Sequence, residues 1–227
     1  MKKQITLYIT RHGQTEHNIQ QRAQGWSDSP LTDGGREIAA RLGRGLREIT
    51  FSYVFSSPAK RAVDTARILL DNMNVDLPIY IEDNLKERGL GKLEGRVLGN
   101  IAFIKARESA TVAGFEGKMD LDLFDYIYEN MKPQDDEPHI ETPYGIGRMG
   151  VVKARLKKAL DDICGKIDEP EANVLIVTHG LAIAAMLYAI TGERYSDGIV
   201  GNASVTLIEY VDGVYRIGEV DDMSYIG

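Results

Sequence analysis

One cysteine, Cys164, in 227 residues excludes an intrachain disulfide and any zinc cluster built on cysteines. It lies in "ALDDICGKI", at the tail of a helical pattern, and reads as a small core residue. Long apolar runs are missing as well, since no stretch approaches the length of a membrane-spanning helix. The first residues, "MKKQITLYITRHG", have two lysines but no long apolar core and no small-residue cleavage site. They are expected to form a first strand, not a signal peptide, and a cytoplasmic location is the default expectation. Histidine is scarce: His12, His17, His139 and His179 are the only four, and none falls into an H-x-H or H-E-x-x-H pattern. Neither a metal site nor another cofactor is expected. Positive charge is in deficit too, and the net charge of −7 argues against a general nucleic-acid binder. Residues 116 to 141 hold nine acids against Lys118 and Lys132, which accounts for the whole excess. That segment reads as a solvated surface insert. There are no repeats and no low-complexity tracts.

What is present alternates. "QITLYIT" (4 to 10), "FSYVFSS" (51 to 57) and "LPIYIED" (77 to 83) have the short, β-branched and aromatic-rich character of strands. "LTDGGREIAARLGRGLREI" places Ile38, Leu42 and Leu46 at helical spacing, with Thr32 or Asp33 as the N-cap. "SPAKRAVDTARILLDN" predicts a helix capped by Ser57, with Pro58 at the first helical position. After an irregular stretch from about 96 to 145 come an amphipathic helix ("GRMGVVKARLKKALDDIC"), an apolar strand ("ANVLIVT", 172 to 178) and a buried helix ending at Gly192. A hairpin joined by "VDG" closes the chain. The expected fold class is α/β, a three-layer sandwich with a mainly parallel central sheet flanked by helices. A single domain over residues 1–227 is expected, with a cap-like helical and loop insert at about 96–145 lying over the active site.

In such sheets ligands bind beyond the carboxyl ends of the strands. The first strand ends in Arg11-His12-Gly13 and the apolar strand in His179-Gly180, so "YITRHG" and "IVTHG" echo each other. The second ends in Ser57-Pro58, with Lys60 and Arg61 in the next helical turn, and the third leads to Glu87-Arg88. If these strands run parallel, their charged ends converge on one rim. Cations at a helix N-terminus oppose the helix dipole, at about 0.3–1 kcal/mol each. Arg61 therefore either pairs with Asp64 three residues on or meets an anion at that helix end. Beside two histidines, the anion is the preferred reading. Two arginines flanking two histidines make a phosphate pocket that needs no metal. A neutral imidazole can act as a nucleophile toward phosphorus, its other nitrogen held by a carbonyl such as that of Gly13. Glu87, if protonated, can give its proton to a leaving alkoxide.

Five segments in order, "TRHGQTEHN", "AQGWSDSPLTDGGREIA", "VFSSPAKRAVDTA", "LKERGLGKLEG" and "VLIVTHG", resemble the histidine phosphatase superfamily, also called the phosphoglycerate mutase-like family. The resemblance spans nearly the whole chain. It implies that His12 is the phosphate-accepting nucleophile, that Arg11, Arg61 and His179 hold the phosphoryl oxygens, and that Glu87 donates and then accepts the proton. It also implies that Asn18 contacts the phosphate or ester oxygen, that Gln24-Gly25 line the substrate side, and that Arg88 and Gly180 belong to the binding set. The mutases that resemble this chain add an adjacent arginine pair in the insert and a polar asparagine after the second His-Gly. Here the insert has isolated Arg96, Lys105, Arg107 and Lys118, and Leu181 follows Gly180, while Arg88 is the one mutase-like residue retained. A mutase has to retain its monophosphate product, which needs that extra anion grip. Hydrolysis of a small phosphorylated metabolite is therefore the expected activity, with a bisphosphoglycerate-dependent mutase as the runner-up and a non-catalytic phosphate-binding module third. Specificity is expected from the insert, where Phe124, Tyr126, Tyr128 and Tyr144 are read as packing residues and His139 as solvated. Oligomeric state, monomer or homodimer, is not legible.

Overall fold

A computed structural model describes residues 3–97, 149–193, 195 and 199–227. Six strands form one sheet: β1 (Gln4–Arg11), β2 (Tyr53–Ser56), β3 (Ile79–Ile81), β4 (Glu171–Thr178), β5 (Val205–Val211) and β6 (Val214–Ile217). Their order is β3-β2-β4-β1-β5-β6. The first four in that row run parallel, and β5 and β6 are antiparallel additions. The closing hairpin turns at Asp212 and Gly213, both with positive φ, as a tight two-residue β-turn requires.

The helices are α1 (Glu16–Ile19), α2 (Asp33–Leu46), α3 (Lys60–Met73), α4 (Met149–Lys166) and α5 (Gly180–Thr191). Strand side chains alternate between two cores, which is what makes three layers. Ile5, Leu7, Ile9, Val174 and Ile176 pack with α4 and α5, while Val54, Leu175, Val177 and Val205 pack with α2 and α3. The run "VLIV" is fully buried, as a central strand covered on both faces has to be. Cys164 lies in the first of these cores, and burial pushes its thiol up to about 11, so it is inert filling.

Some boundaries differ from expectation: β2 and β3 are shorter than the runs at 51 to 57 and 77 to 83, and α3 starts two residues after Pro58. Thr32 caps α2 as anticipated, accepting from the Gly35 N–H. Ser57 does not cap α3: that helix begins at Lys60 behind Ala59, which makes no side-chain cap. The ladder holds Ser57 to the sheet instead, its N–H bonded to the Val177 carbonyl at 3.0 Å. Apart from residues 96 and 97, the insert expected at about 96–145 lies outside the described residues, as do the acidic run and the aromatics assigned to it.

Candidate active site

The β1–β4 register sets Arg11 against Thr178, so His12 and His179 follow at equivalent places on adjacent strands. The His12 N–H still bonds the Thr178 carbonyl at 3.0 Å, and Ser57 extends the β2 ladder in the same way. The rim is therefore built by backbone pairing before any side chain meets another. The two imidazoles stand 5.3 Å apart between ring centroids, at 66°.

Arg61, fully buried at 1% exposure, links everything else. Its Nε donates to His12 Nε2 at 3.2 Å, and its Nη2 donates to His179 Nδ1 at 3.0 Å and to the Gly25 carbonyl at 2.8 Å. Nη1 donates to the Ser27 carbonyl at 2.8 Å and to Asp28 Oδ1 at 3.1 Å. All five donors of the guanidinium are used. Asp64, the alternative partner, pairs with Lys60 and Arg67. The anion at the start of α3 is the Asp28 carboxylate, which also accepts the Lys60 N–H at 2.6 Å.

His12 Nδ1 lies 2.8 Å from the Gly13 carbonyl, the contact anticipated for it. Gly13 is pressed so closely against the Gly35 backbone that a Cβ would sit 2.4 Å from that carbonyl oxygen. Its N–H donates to Thr65 Oγ1 at 3.0 Å. Burial, then the Arg61 and Arg11 cations, hold His12 well below the usual imidazole range, and burial does the same to His179. Both rings are therefore neutral at neutral pH. The Glu87 carboxyl is displaced the opposite way, raised by burial against the opposing pull of backbone N–H groups and of Arg61 and Arg11. Its Oε1 accepts from the Arg88 N–H at 2.8 Å and its Oε2 from the Leu181 N–H at 3.1 Å. The Arg11 guanidinium is pulled down to about 10 by burial, and its Nη1 bonds the Val200 carbonyl at 2.7 Å. Gly180 lies beside it: a Cβ at that position would touch Arg11 Cδ and Nε at 3.4 Å and press on Ile199 Cγ2 at 2.2 Å.

A cleft of about 470 Å³ reaches this cluster at Glu87 and His179 and is lined also by Trp26, Ser57, Lys60 and Lys86. The Trp26 ring is fixed by its Nε1–H on the Glu87 carbonyl at 2.9 Å. Asn18 lies in α1 and Gln24 in the loop that follows it: Asn18 Oδ1 accepts from the Thr15 N–H and from Asn202 Nδ2, and Gln24 bridges Thr15 and Ser29. Arg88 is fully buried, and its carbonyl closes over Gly25. Among the described residues no group of three or more histidines, cysteines or acids is arranged to hold a metal ion.

The sequence profile described as "Histidine phosphatase superfamily (branch 1)" matches residues 7–109 and 112–222. The chain belongs to the histidine phosphatase superfamily. A superfamily relative, the uncharacterized phosphatase PhoE of Bacillus subtilis strain 168, is 30% identical over 226 residues, 96% of this chain and 95% of its own. A broad-specificity phosphatase of Saccharomyces cerevisiae is 30% identical over 213 residues, 91% of this chain and 80% of its own. The crystal structure of a phosphoglycerate mutase from Bacillus anthracis strain Sterne superposes with a TM-score of 0.83 at 32% identity, covering 99% of this chain and 96% of that one. The chain is thus a phosphatase- or mutase-type enzyme of the superfamily. No helix among the described residues is long and apolar enough to cross a membrane.

Several supporting residues escaped the sequence reading. Glu94 accepts from the N–H groups of Gly25, Trp26 and Ser27 and so shapes the loop whose carbonyls hold Arg61. Asn202, from the turn before β5, donates to the His12 carbonyl at 2.9 Å. Thr65 carried a usable signal, because it lies one helical turn beyond Arg61 and so on the same face of α3. Glu94 and Asn202 carried none, since their partners are 67 and 190 residues away.

Proposed function

We propose that the protein is a metal-independent phosphomonoester hydrolase acting through phospho-His12. The observation that carries this is the state of one atom. With Nδ1–H given to the Gly13 carbonyl, His12 Nε2 keeps its lone pair, and that lone pair faces a guanidinium. A dianionic phosphoryl group drawn in by Arg61 and Arg11 takes over the Arg61 donors that now rest on the histidines. His12 Nε2 then attacks phosphorus, the bond to the ester oxygen breaks, and Glu87, whose carboxyl burial shifts toward the protonated form, gives its proton to the departing alkoxide. Water attacks the phosphohistidine in turn, Glu87 recovers the proton, and inorganic phosphate leaves. Arg11, Arg61 and His179 are assigned to the phosphoryl oxygens, with Asn18, Gln24, Gly25, Arg88 and Gly180 as the binding surround.

Hydrolysis is preferred to mutase chemistry on Leu181 and on an insert without an arginine pair. We read residues 1–227 as one domain and its insert, about 96–145, as the part that selects a small phosphorylated metabolite. Turnover of p-nitrophenyl phosphate should be unchanged in chelator, and acid quenching should trap a phosphoenzyme that His12→Ala lacks. Full turnover by His12→Ala would overturn the assignment. Exchange of 2- and 3-phosphoglycerate stimulated by bisphosphoglycerate would move it to the mutase reading.

A further inference from the structure

Two neighbours fix the His179 imidazole: Arg61 Nη2 lies 3.0 Å from Nδ1, and Ser57 Oγ lies 2.7 Å from Nε2. A guanidinium donates and never accepts, so Nδ1 presents its lone pair there. Burial, reinforced by the Arg61 cation, keeps the ring neutral, which leaves one proton to place. It goes on Nε2, with Ser57 Oγ as its acceptor. His12 is the mirror case, with Nε2 accepting from Arg61 and Nδ1–H on the Gly13 carbonyl. Arg61 therefore reads the two rings in opposite tautomers. Ser57 is itself set by the sheet, since its N–H bonds the Val177 carbonyl at 3.0 Å and its side chain is fully buried.

We propose that Ser57 is a positioning residue of this site: it holds His179 as the Nε2–H tautomer, so that Nδ1 is the edge turned toward Arg61 and the phosphoryl group. The consequence for catalysis rests on the phosphohistidine reading above. When a phosphomonoester docks and Arg61 Nη2 moves to a phosphoryl oxygen, His179 Nδ1 is left facing that oxygen. A monoanionic ester, whose second ionisation lies near about pH 6, carries one proton there. Passing it to Nδ1 gives an imidazolium and a dianionic ester, with Nε2–H still on Ser57 and no proton gained or lost overall. Without the serine only Arg61 holds the ring, and once Arg61 Nη2 moves to the phosphoryl oxygen the ring is free to take the other tautomer or to rotate, so the edge presented to phosphate is no longer defined.

The test is long-range ¹H–¹⁵N correlation of the imidazoles in the phosphate-free full chain above neutral pH, with signals assigned by His12→Asn and His179→Asn. His179 should be protonated at Nε2 and His12 at Nδ1. In Ser57→Ala the Nε2–H loses its acceptor, so the His179 preference, then resting on Arg61 alone, should weaken while His12 keeps its own. The kcat/KM for p-nitrophenyl phosphate should fall about tenfold to a hundredfold, the scale on which a displaced group near the reacting atoms is felt. A native His179 protonated at Nδ1, or a Ser57→Ala variant that keeps both tautomer and kcat/KM, overturns the proposal. If the native chain turns over no phosphomonoester, the functional reading fails, and the tautomers still decide the role of Ser57. Should Ser57→Ala not fold, the native tautomer alone decides it.

Discussion

Glutamine at position 94 keeps the shape of the glutamate and exchanges one acceptor oxygen for a donor, and the structure says what that costs. Glu94 is buried at 2% exposure. Its Oε1 accepts from the N–H groups of Trp26 at 2.7 Å and Leu90 at 3.0 Å. Its Oε2 accepts from the N–H groups of Gly25 at 3.0 Å and Ser27 at 3.1 Å, and from Ser27 Oγ at 2.6 Å. The Ser27 hydroxyl can turn to accept from an amide, but backbone N–H groups cannot. Whichever way the new amide is turned, its NH₂ faces two backbone donors and leaves both without an acceptor. Each orphaned buried donor costs about 1–3 kcal/mol, so Glu94→Gln should lose about 2–6 kcal/mol. For a domain of this size that is a fall in Tm of about 5–20 °C. Activity should fall as well, because the Gly25 and Ser27 carbonyls on this loop hold Arg61. Thermal or urea unfolding with parallel kinetics measures both. A variant within about 1 kcal/mol of the parent would refute the idea that this carboxylate holds the loop through its acceptors.

The depressed pKa values of His12 and His179 make stability depend on pH in a definite direction. Unfolded histidine takes up a proton below about pH 6.5 while these buried rings do not, so in phosphate-free buffer stability should fall with acidification from there to the folded pKa, by up to about 1.4 kcal/mol per pH unit for each ring. His179→Asn should show a shallower fall in urea titrations between pH 7 and 5, and an unchanged slope would count against neutral burial. Gly13→Ala places a Cβ 2.4 Å from the Gly35 carbonyl oxygen, a backbone atom, and should destabilise by about 1–3 kcal/mol in a melt while displacing His12. Arg61→Lys keeps the charge but not the five-donor fork, and kcat should drop about a hundredfold or more, against little change if charge alone mattered.

Much of the site was legible because its main residues stand at strand ends. Once "YITRHG" and "IVTHG" are read as parallel strands, adjacency of His12 and His179 follows from the ladder alone, and the β1–β4 register bears this out. The helix carrying Arg61 and the hairpin at Asp212-Gly213 were likewise written locally, in periodicity and turn residues. The error over Ser57 has the same origin. A serine before a proline and a helical run is a good N-cap by local rules, yet its hydroxyl sits within 2.7 Å of a histidine 122 residues away.

Sequence by itself therefore determined the layers, the strand ends that hold the chemistry and the residue types set there, because backbone periodicity and strand-end position are properties of near neighbours. Only the tertiary structure decided which nitrogen of each histidine meets the Arg61 guanidinium, that burial raises the Glu87 carboxyl, and that Glu94 and Asn202 brace the site. Those depend on burial and on hydrogen bonds between residues far apart in the chain, where a donor's partner is set by how the sheet and its loops come together in space.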